Sequence, residues 1–223
     1  IHKNQKRKNG AFIKINQIIM QNTELEIKYL LNKKMAQEVK NKINKILGVS
    51  VANEAYEKTT MLDNPLGIIG KDDARLRLRE IGKSKTDNDL QIEFSYKRRI
   101  QADGGIKREE EIEVAFKENP RHLYKILEKM GFVPLTSYER YRDTYMINED
   151  HTKITMDRFP FGHILEIEGE EENIKKYCEK LNLNINDSYP LSCDDAYVDL
   201  CKNDGIKPND HILFDDPEMP QIK

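Results

Sequence analysis

Cysteine is scarce in this chain, and its placement excludes two common architectures. The three thiols, Cys178, Cys193 and Cys201, form an odd set without a CxxC pair, which argues against a disulfide framework and a zinc ribbon alike; they read as reduced, structural residues. The five histidines, His2, His122, His151, His163 and His211, show no metal-ligand spacing and read as surface or turn residues, His163 as part of a turn. No stretch approaches the roughly 18 apolar residues of a membrane span, and the start lacks the apolar run of a signal peptide. A soluble, cytoplasmic protein without a membrane partner is expected. Apolar residues are also short, at 38% against a usual share of about 45–50%. Charge is in surplus, at 34% of 223 residues against about 25%, so the fold must place many charges.

The near-neutral total of −2 hides an uneven distribution. Residues 1–19 carry Lys3, Lys6, Arg7, Lys8 and Lys14 and no acid, and Met20 stands as a candidate start, so 1–19 reads as a disordered basic extension or a cloning remnant. Residues 20–203 are expected to form one domain, and 204–223 an acidic, irregular tail.

Within that domain the periodicity changes from two to three-and-four and back. Asn22 to Tyr29 alternates charged and apolar residues, the pattern of a strand. Met35, Val39, Ile43, Ile46 and Leu47 then recur at helical spacing over Lys33–Leu47, with Gly48 as a stop. Further strands are predicted at Ala52–Thr60, Ala74–Ile81, Leu90–Arg99, about Arg108–Phe116, Tyr138–Ile147, Lys153–Phe159 and His163–Glu168. Asp63-Asn64-Pro65, Asp103-Gly104-Gly105 and Phe161-Gly162 supply turns. Helices are predicted after Asn119-Pro120, over Glu171–Leu181 with glutamates at its start, and near Asp194–Lys202.

The strands share an unusual face. Glu24, Glu26 and Lys28 have one parity, as do Arg75, Arg77 and Arg79, then Glu93 and Lys97, then Glu109, Glu111 and Glu113, then Arg140 and Arg142, and finally Glu166 and Glu168, with Asp157 on a strand between. One such strand is an ordinary wet face; a chain built of them suggests a closed barrel of about eight strands whose charged faces line the lumen. A lumen holding both signs must be wet and occupied by neutralising ions. Arginine and lysine suit a polyanion with several phosphates, and carboxylates suit a hard divalent cation, Mg²⁺ or Mn²⁺. Together they point to phosphoryl or nucleotidyl chemistry.

Glu24-Leu25-Glu26-Ile27-Lys28, then Leu76-Arg77-Leu78-Arg79, Lys97, Arg140-Tyr141-Arg142, the hairpin Asp157 to Glu168, and Ala196-Tyr197-Val198-Asp199-Leu200 resemble, in this order and over about residues 22–200, the CYTH or triphosphate tunnel metalloenzyme superfamily. That superfamily includes class IV adenylyl cyclases, thiamine triphosphatases and inorganic triphosphatases. The resemblance implies an α+β fold: an eight-stranded antiparallel β-barrel tunnel with helices packed outside. It implies substrate binding by Lys28, Arg77, Arg79, Lys97, Arg140 and Arg142, Mg²⁺ or Mn²⁺ binding by Glu24, Glu26, Asp157, Glu166 and Glu168, and catalytic roles for Lys28, Glu111 and Glu113. One position departs from the pattern. The arginine that the family carries two residues before a pair of glutamates falls on Glu109, with Arg108 out of phase unless a bulge turns it inward.

The expected function is a metal-dependent reaction on a triphosphate such as ATP, thiamine triphosphate or tripolyphosphate. In a hydrolase, water attacks the terminal phosphorus; in a cyclase, the ribose 3′-hydroxyl attacks the α-phosphorus. A non-catalytic polyphosphate or nucleotide-binding module is the competing reading. Tyr138, Tyr141 and Tyr145 read as strand-packing residues, so nucleic acid is not expected as a partner; a homodimer is compatible with the sequence.

Overall fold

A computed structural model describes residues 22–47, 53–103, 105–117 and 119–223; the extension 1–19, Gly48, Ala52 and Gly104 lie outside them. Eight antiparallel strands follow in chain order: β1 Asn22–Leu31, β2 Asn53–Asp63, β3 Ala74–Gly82, β4 Gln91–Asp103, β5 Ile106–Phe116, β6 Val133–Ile147, β7 Thr152–Phe159 and β8 Gly162–Glu168. Their spatial order is β2-β3-β4-β5-β1-β8-β7-β6, and β2 also pairs with β6, which closes the barrel. A two-residue strand, β9 (His211–Ile212), runs parallel to β6 on the outside.

Four helices pack around this barrel: α1 Lys33–Leu47, α2 Pro120–Lys129, α3 Glu171–Leu181 and α4 Cys193–Asp204. Local chemistry sets their ends. Asn32 accepts the Met35 amide at 3.0 Å before α1, and Asn119 accepts the Arg121 amide before the Pro120 of α2, so orphan amides of each first turn find a partner. A reciprocal Ser192–Asp195 capping box opens α4.

Because the inner faces are charged, the apolar core lies outside the barrel wall. Ile27, Tyr29 and Leu31 of β1 and Leu165 and Ile167 of β8 pack under Val39 and Ile43 of α1 and Ile174 and Tyr177 of α3. Leu62, Leu78 and Ile92 pack under Leu127 of α2. A third cluster joins α4, through Ala196, Tyr197 and Cys201, to Tyr138, Phe159, Phe161 and Ile164 at one end of the barrel. That end is stoppered.

Several strands run longer than their alternation predicts, β6 and β4 the most. Strand β6 begins at Val133 because Val133 and Pro134 pair with Asp63 and Leu62 across a register shift in β2, and β4 continues to Asp103 past a second shift between Arg99 and Gln101. His163 is corrected from a turn to a strand position, opposite Leu31 and Arg158. The turn itself is Pro160-Phe161, and strand β8 starts at Gly162, whose φ of +149° favours glycine. A Cβ there would also stand 2.7 Å from Ile222. Residues 204–223 run along the barrel: Ile222 donates its amide to the Phe161 carbonyl at 2.9 Å, and Phe214 donates to Glu139 at 3.1 Å.

Candidate active site

The alternation of the strands carries each charged side chain inward. Twenty residues line the lumen and sixteen of them are charged, nine cations and seven acids, so charge pairing governs the interior. At the stoppered end, Ser192, Cys193 and Asp194 of the α4 N-terminus face the space. Burial, together with the Asp194 carboxylate, pushes the Cys193 thiol up to about 12, so it stays a neutral thiol at physiological pH.

Glu26, Glu166 and Glu168 form the closest set of acids. They occupy facing rungs of β1 and β8, Glu26 opposite Glu168 and Lys28 opposite Glu166, and one oxygen of each lies within 4.8 Å of the others. Lys28 Nζ stands 3.4 Å from Glu26 and 3.2 Å from Glu166, and Lys107 Nζ is 3.0 Å from the same Glu26 oxygen. Burial alone would raise the Glu26 carboxyl, but Lys28 and Lys107 outweigh it and hold the group well below the usual carboxylate range. Glu168 moves the other way: burial raises it, Lys153 only partly offsets this, and the neighbouring Glu166 and Glu26 add to the rise. Three carboxylates on adjacent rungs, Glu26 and Glu166 buried and Glu168 partly buried and paired with Lys153 at 2.5 Å, form an all-oxygen donor set that suits Mg²⁺ or Mn²⁺. The group could therefore hold a metal ion.

Beside it stands an arginine ladder. Arg140 Nε donates to Glu57 at 2.7 Å and its Nη1 to Asp157 at 2.9 Å. Arg142 grips Asp157 with Nε and Nη2, both at 2.6 Å, and reaches Glu166 at 2.6 Å. Arg79 meets Glu93 at 3.0 Å, Arg77 meets Glu111 at 3.0 Å, and Lys97 lies 2.9 Å from both Glu24 and Glu111. These guanidinium groups converge from β3 and β6, the two strands that flank β2, which suits several phosphates held in a row.

All six basic residues singled out in the sequence line the lumen, as do Glu26, Glu111, Glu113, Glu166 and Glu168. Asp157 and Glu24 are placed differently. Both oxygens of Asp157, which is fully buried, are taken by guanidinium groups, so it stands apart from the carboxylate cluster and braces the arginines. Glu24 lies at the rim with Lys97, and its carboxyl is raised by burial and by a hydrogen bond with Glu111. Glu113 is also at the rim, where burial and then the charge of Glu93 raise it. Arg108 is not restored to the lumen. The register shift falls in β4, at Arg99/Gln101, while β5 keeps its period of two, so Lys107, Glu109, Glu111 and Glu113 face in and Arg108 faces out. Lys107, the Arg75–Glu109 ion pair and Glu57 went unassigned in the sequence; the matching parity of Lys107 with the three glutamates was the available signal.

No family model matches the chain, and no curated protein matches it. Solved structures do. A protein from Hippeastrum, described as a candidate adenylyl cyclase with a dominant triphosphatase activity, superposes with a TM-score of 0.58 at 20% identity, over 83% of this chain and 97% of that one. A candidate adenylate cyclase from Vibrio parahaemolyticus gives 0.58 at 19% identity, over 77% and 95%. A chain of the Schizosaccharomyces pombe Mediator head module gives 0.52 at 14% identity, over 72% and 94%. One fold serves different ends, so likenesses at this identity carry the barrel, and the lumen's own chemistry must carry the function.

Proposed function

We propose that the lumen is the active site of a divalent-metal-dependent triphosphatase of the CYTH, or triphosphate tunnel, kind. The observation that supports this most is a charged lumen, stoppered at one end, in which a three-carboxylate cluster adjoins a ladder of arginines. On this reading Arg77, Arg79, Lys97, Arg140 and Arg142 donate to phosphate oxygens as the chain of phosphates enters. Glu26, Glu166 and Glu168 would hold the metal ion, which supplies charge neutralisation at the phosphoryl oxygens.

The attacking water forms a new bond to the terminal phosphorus as the bridging P–O bond breaks, and its proton passes to a lumen carboxylate. Glu113 suits that step, since its raised affinity for protons makes it a better base than an ordinary carboxylate. Glu111 positions Arg77 and Lys97, and Lys28 stabilises the charge that develops on the leaving diphosphate. Asp157 and Glu57 hold the guanidinium planes in place. A loose phosphoryl-transfer transition state asks mainly for such positioning and electrostatic stabilisation.

The test is incubation with Mg²⁺ or Mn²⁺ and tripolyphosphate, ATP or thiamine triphosphate, with products resolved by chromatography. Orthophosphate release is the expected result. Cyclic nucleotide and pyrophosphate would mark a cyclase, and tight binding without turnover would mark a polyphosphate-binding module.

A further inference from the structure

Most of the apolar outer wall of this barrel has a cover. The outward residues of β1, β7 and β8 lie under α1 and α3, and those of β2, β3 and the start of β4 lie under α2. The middle of β4 and β5 is different. Strand β5 turns Lys107, Glu109, Glu111 and Glu113 inward, so Ile112 and Val114 point outward, and each is more than half exposed. Across the ladder Ile112 stands opposite Tyr96, and Val114 opposite Phe94. An apolar patch with a charged rim marks a surface that another molecule covers.

The rim selects the molecule. At one end of the patch Arg98 of β4 and Glu110 of β5 pair at 2.8 Å. At the other end Asp89, just before β4, and Lys117, just after β5, pair at 3.2 Å, both largely exposed. The charges therefore alternate at the corners: the two ends of β4 differ in sign, and β5 carries the opposite order. A two-fold axis lying in this face, across the strands, brings each end of one copy over the other end of a second. Arg98 then meets the partner's Asp89, and Glu110 the partner's Lys117, while like charges stay apart. Such self-complementarity is what an isologous contact between identical chains requires, and complementary charge fixes its register.

We infer that the outer face of β4 and β5 is a docking surface for a second copy of this chain, the two faces packing with their strands antiparallel around Val114. The inference does not rest on the activity of the lumen. The same strands carry Lys97, Glu111 and Glu113 on their inner faces, so the second copy braces that wall of the site.

Sedimentation velocity of the full chain tests this from about 1 to 100 µM, a range that brackets micromolar association. Wild type should reach twice the chain mass within it. Ile112→Glu sets a charge in the apolar centre and should raise the dimer dissociation constant by at least about tenfold. Lys117→Glu, at an exposed position, places an acid against the partner's Glu110 and should raise the constant by about threefold or more, with a smaller effect in about 0.5 M salt. Met35→Glu, on the exposed side of α1, should change it by less than about twofold. Circular dichroism checks that each variant is folded. The assignment is overturned by a wild type that stays at one chain mass throughout, by either interface variant dimerising like wild type, or by Met35→Glu weakening the dimer as much as Ile112→Glu does.

Discussion

Glu57 shows how single residues carry the electrostatics of this barrel. It is buried between Arg140 and Arg79; burial favours the neutral acid, but the two guanidinium groups prevail and bring its pKa to about 2. A carboxylate held below its unfolded value stabilises the fold above that value and loses the contribution as pH falls through the folded one. The window is therefore between pH 4.5 and about 2, with roughly 3 kcal/mol at stake. Glu57→Gln should lower the urea midpoint clearly at pH 6, and the gap to wild type should narrow as pH approaches 2; a gap independent of pH would contradict the pairing. At Glu26 the expected effect is on turnover, because an amide is a poorer ligand for a hard cation. Glu26→Gln should cut turnover by at least about a hundredfold, on the scale of losing one charged transition-state contact, with an unchanged circular dichroism spectrum. Near-wild-type turnover would remove Glu26 from the site.

Much at this scale was legible in the sequence because strand parity translates directly into lumen or core. Lys28, Arg77, Arg79, Lys97, Arg140 and Arg142 all followed from it. What parity could not supply is which partner a charge meets. Asp157 has the inward parity of the metal-type acids, yet it is fully buried behind the lumen wall, where two arginines on the neighbouring β6 claim both of its oxygens. Glu57 belongs to an alternation no more marked than a surface strand's, and only the closure of β2 on β6 brings Arg140 against it.

Among the elements, α4 has the most consequence for the site. The capping box at Ser192 fixes the entry of this helix, and the residues it positions, Cys193 and Asp194, face the stoppered end of the lumen. The Leu191 carbonyl, one residue earlier, accepts from Lys28 Nζ at 3.4 Å. Ser192→Ala removes a cap worth about 1 kcal/mol and should lower the thermal midpoint by a few degrees. It should also raise hydrogen exchange in the first turn of α4 before any other element; uniform exchange across the barrel would instead mean that α4 does not open separately. The sequence located this helix near Asp194–Lys202, within two residues at either end of the observed Cys193–Asp204; its Ser192 and Gly205 caps went unread. Its place as a stopper depends on Tyr197 and Cys201 meeting Phe161 and Ile164, a long-range contact that no local pattern encodes. Strand β5 teaches the same lesson: its register against β4 decided between Lys107 and Arg108.

At the scale of the whole molecule, the barrel inverts the usual arrangement, with helices and apolar side chains outside and charge within. The lean apolar supply noted in the sequence is spent on three peripheral clusters. A buried charge array of this kind is costly unless its ions are paired, and here each of the nine lumen cations stands at ion-pair distance from an acid. A polyphosphate with a divalent ion offers both signs new partners at once, whereas orthophosphate reaches too few cations to compete. Titration of tripolyphosphate against orthophosphate in Ca²⁺ tests this most directly. Each good charge-assisted hydrogen bond is worth about 1.5–3 kcal/mol, so tripolyphosphate should bind at least about a hundredfold more tightly, and the preference should shrink in Arg142→Ala. Equal affinity for the two anions, or no binding of either, would contradict the account.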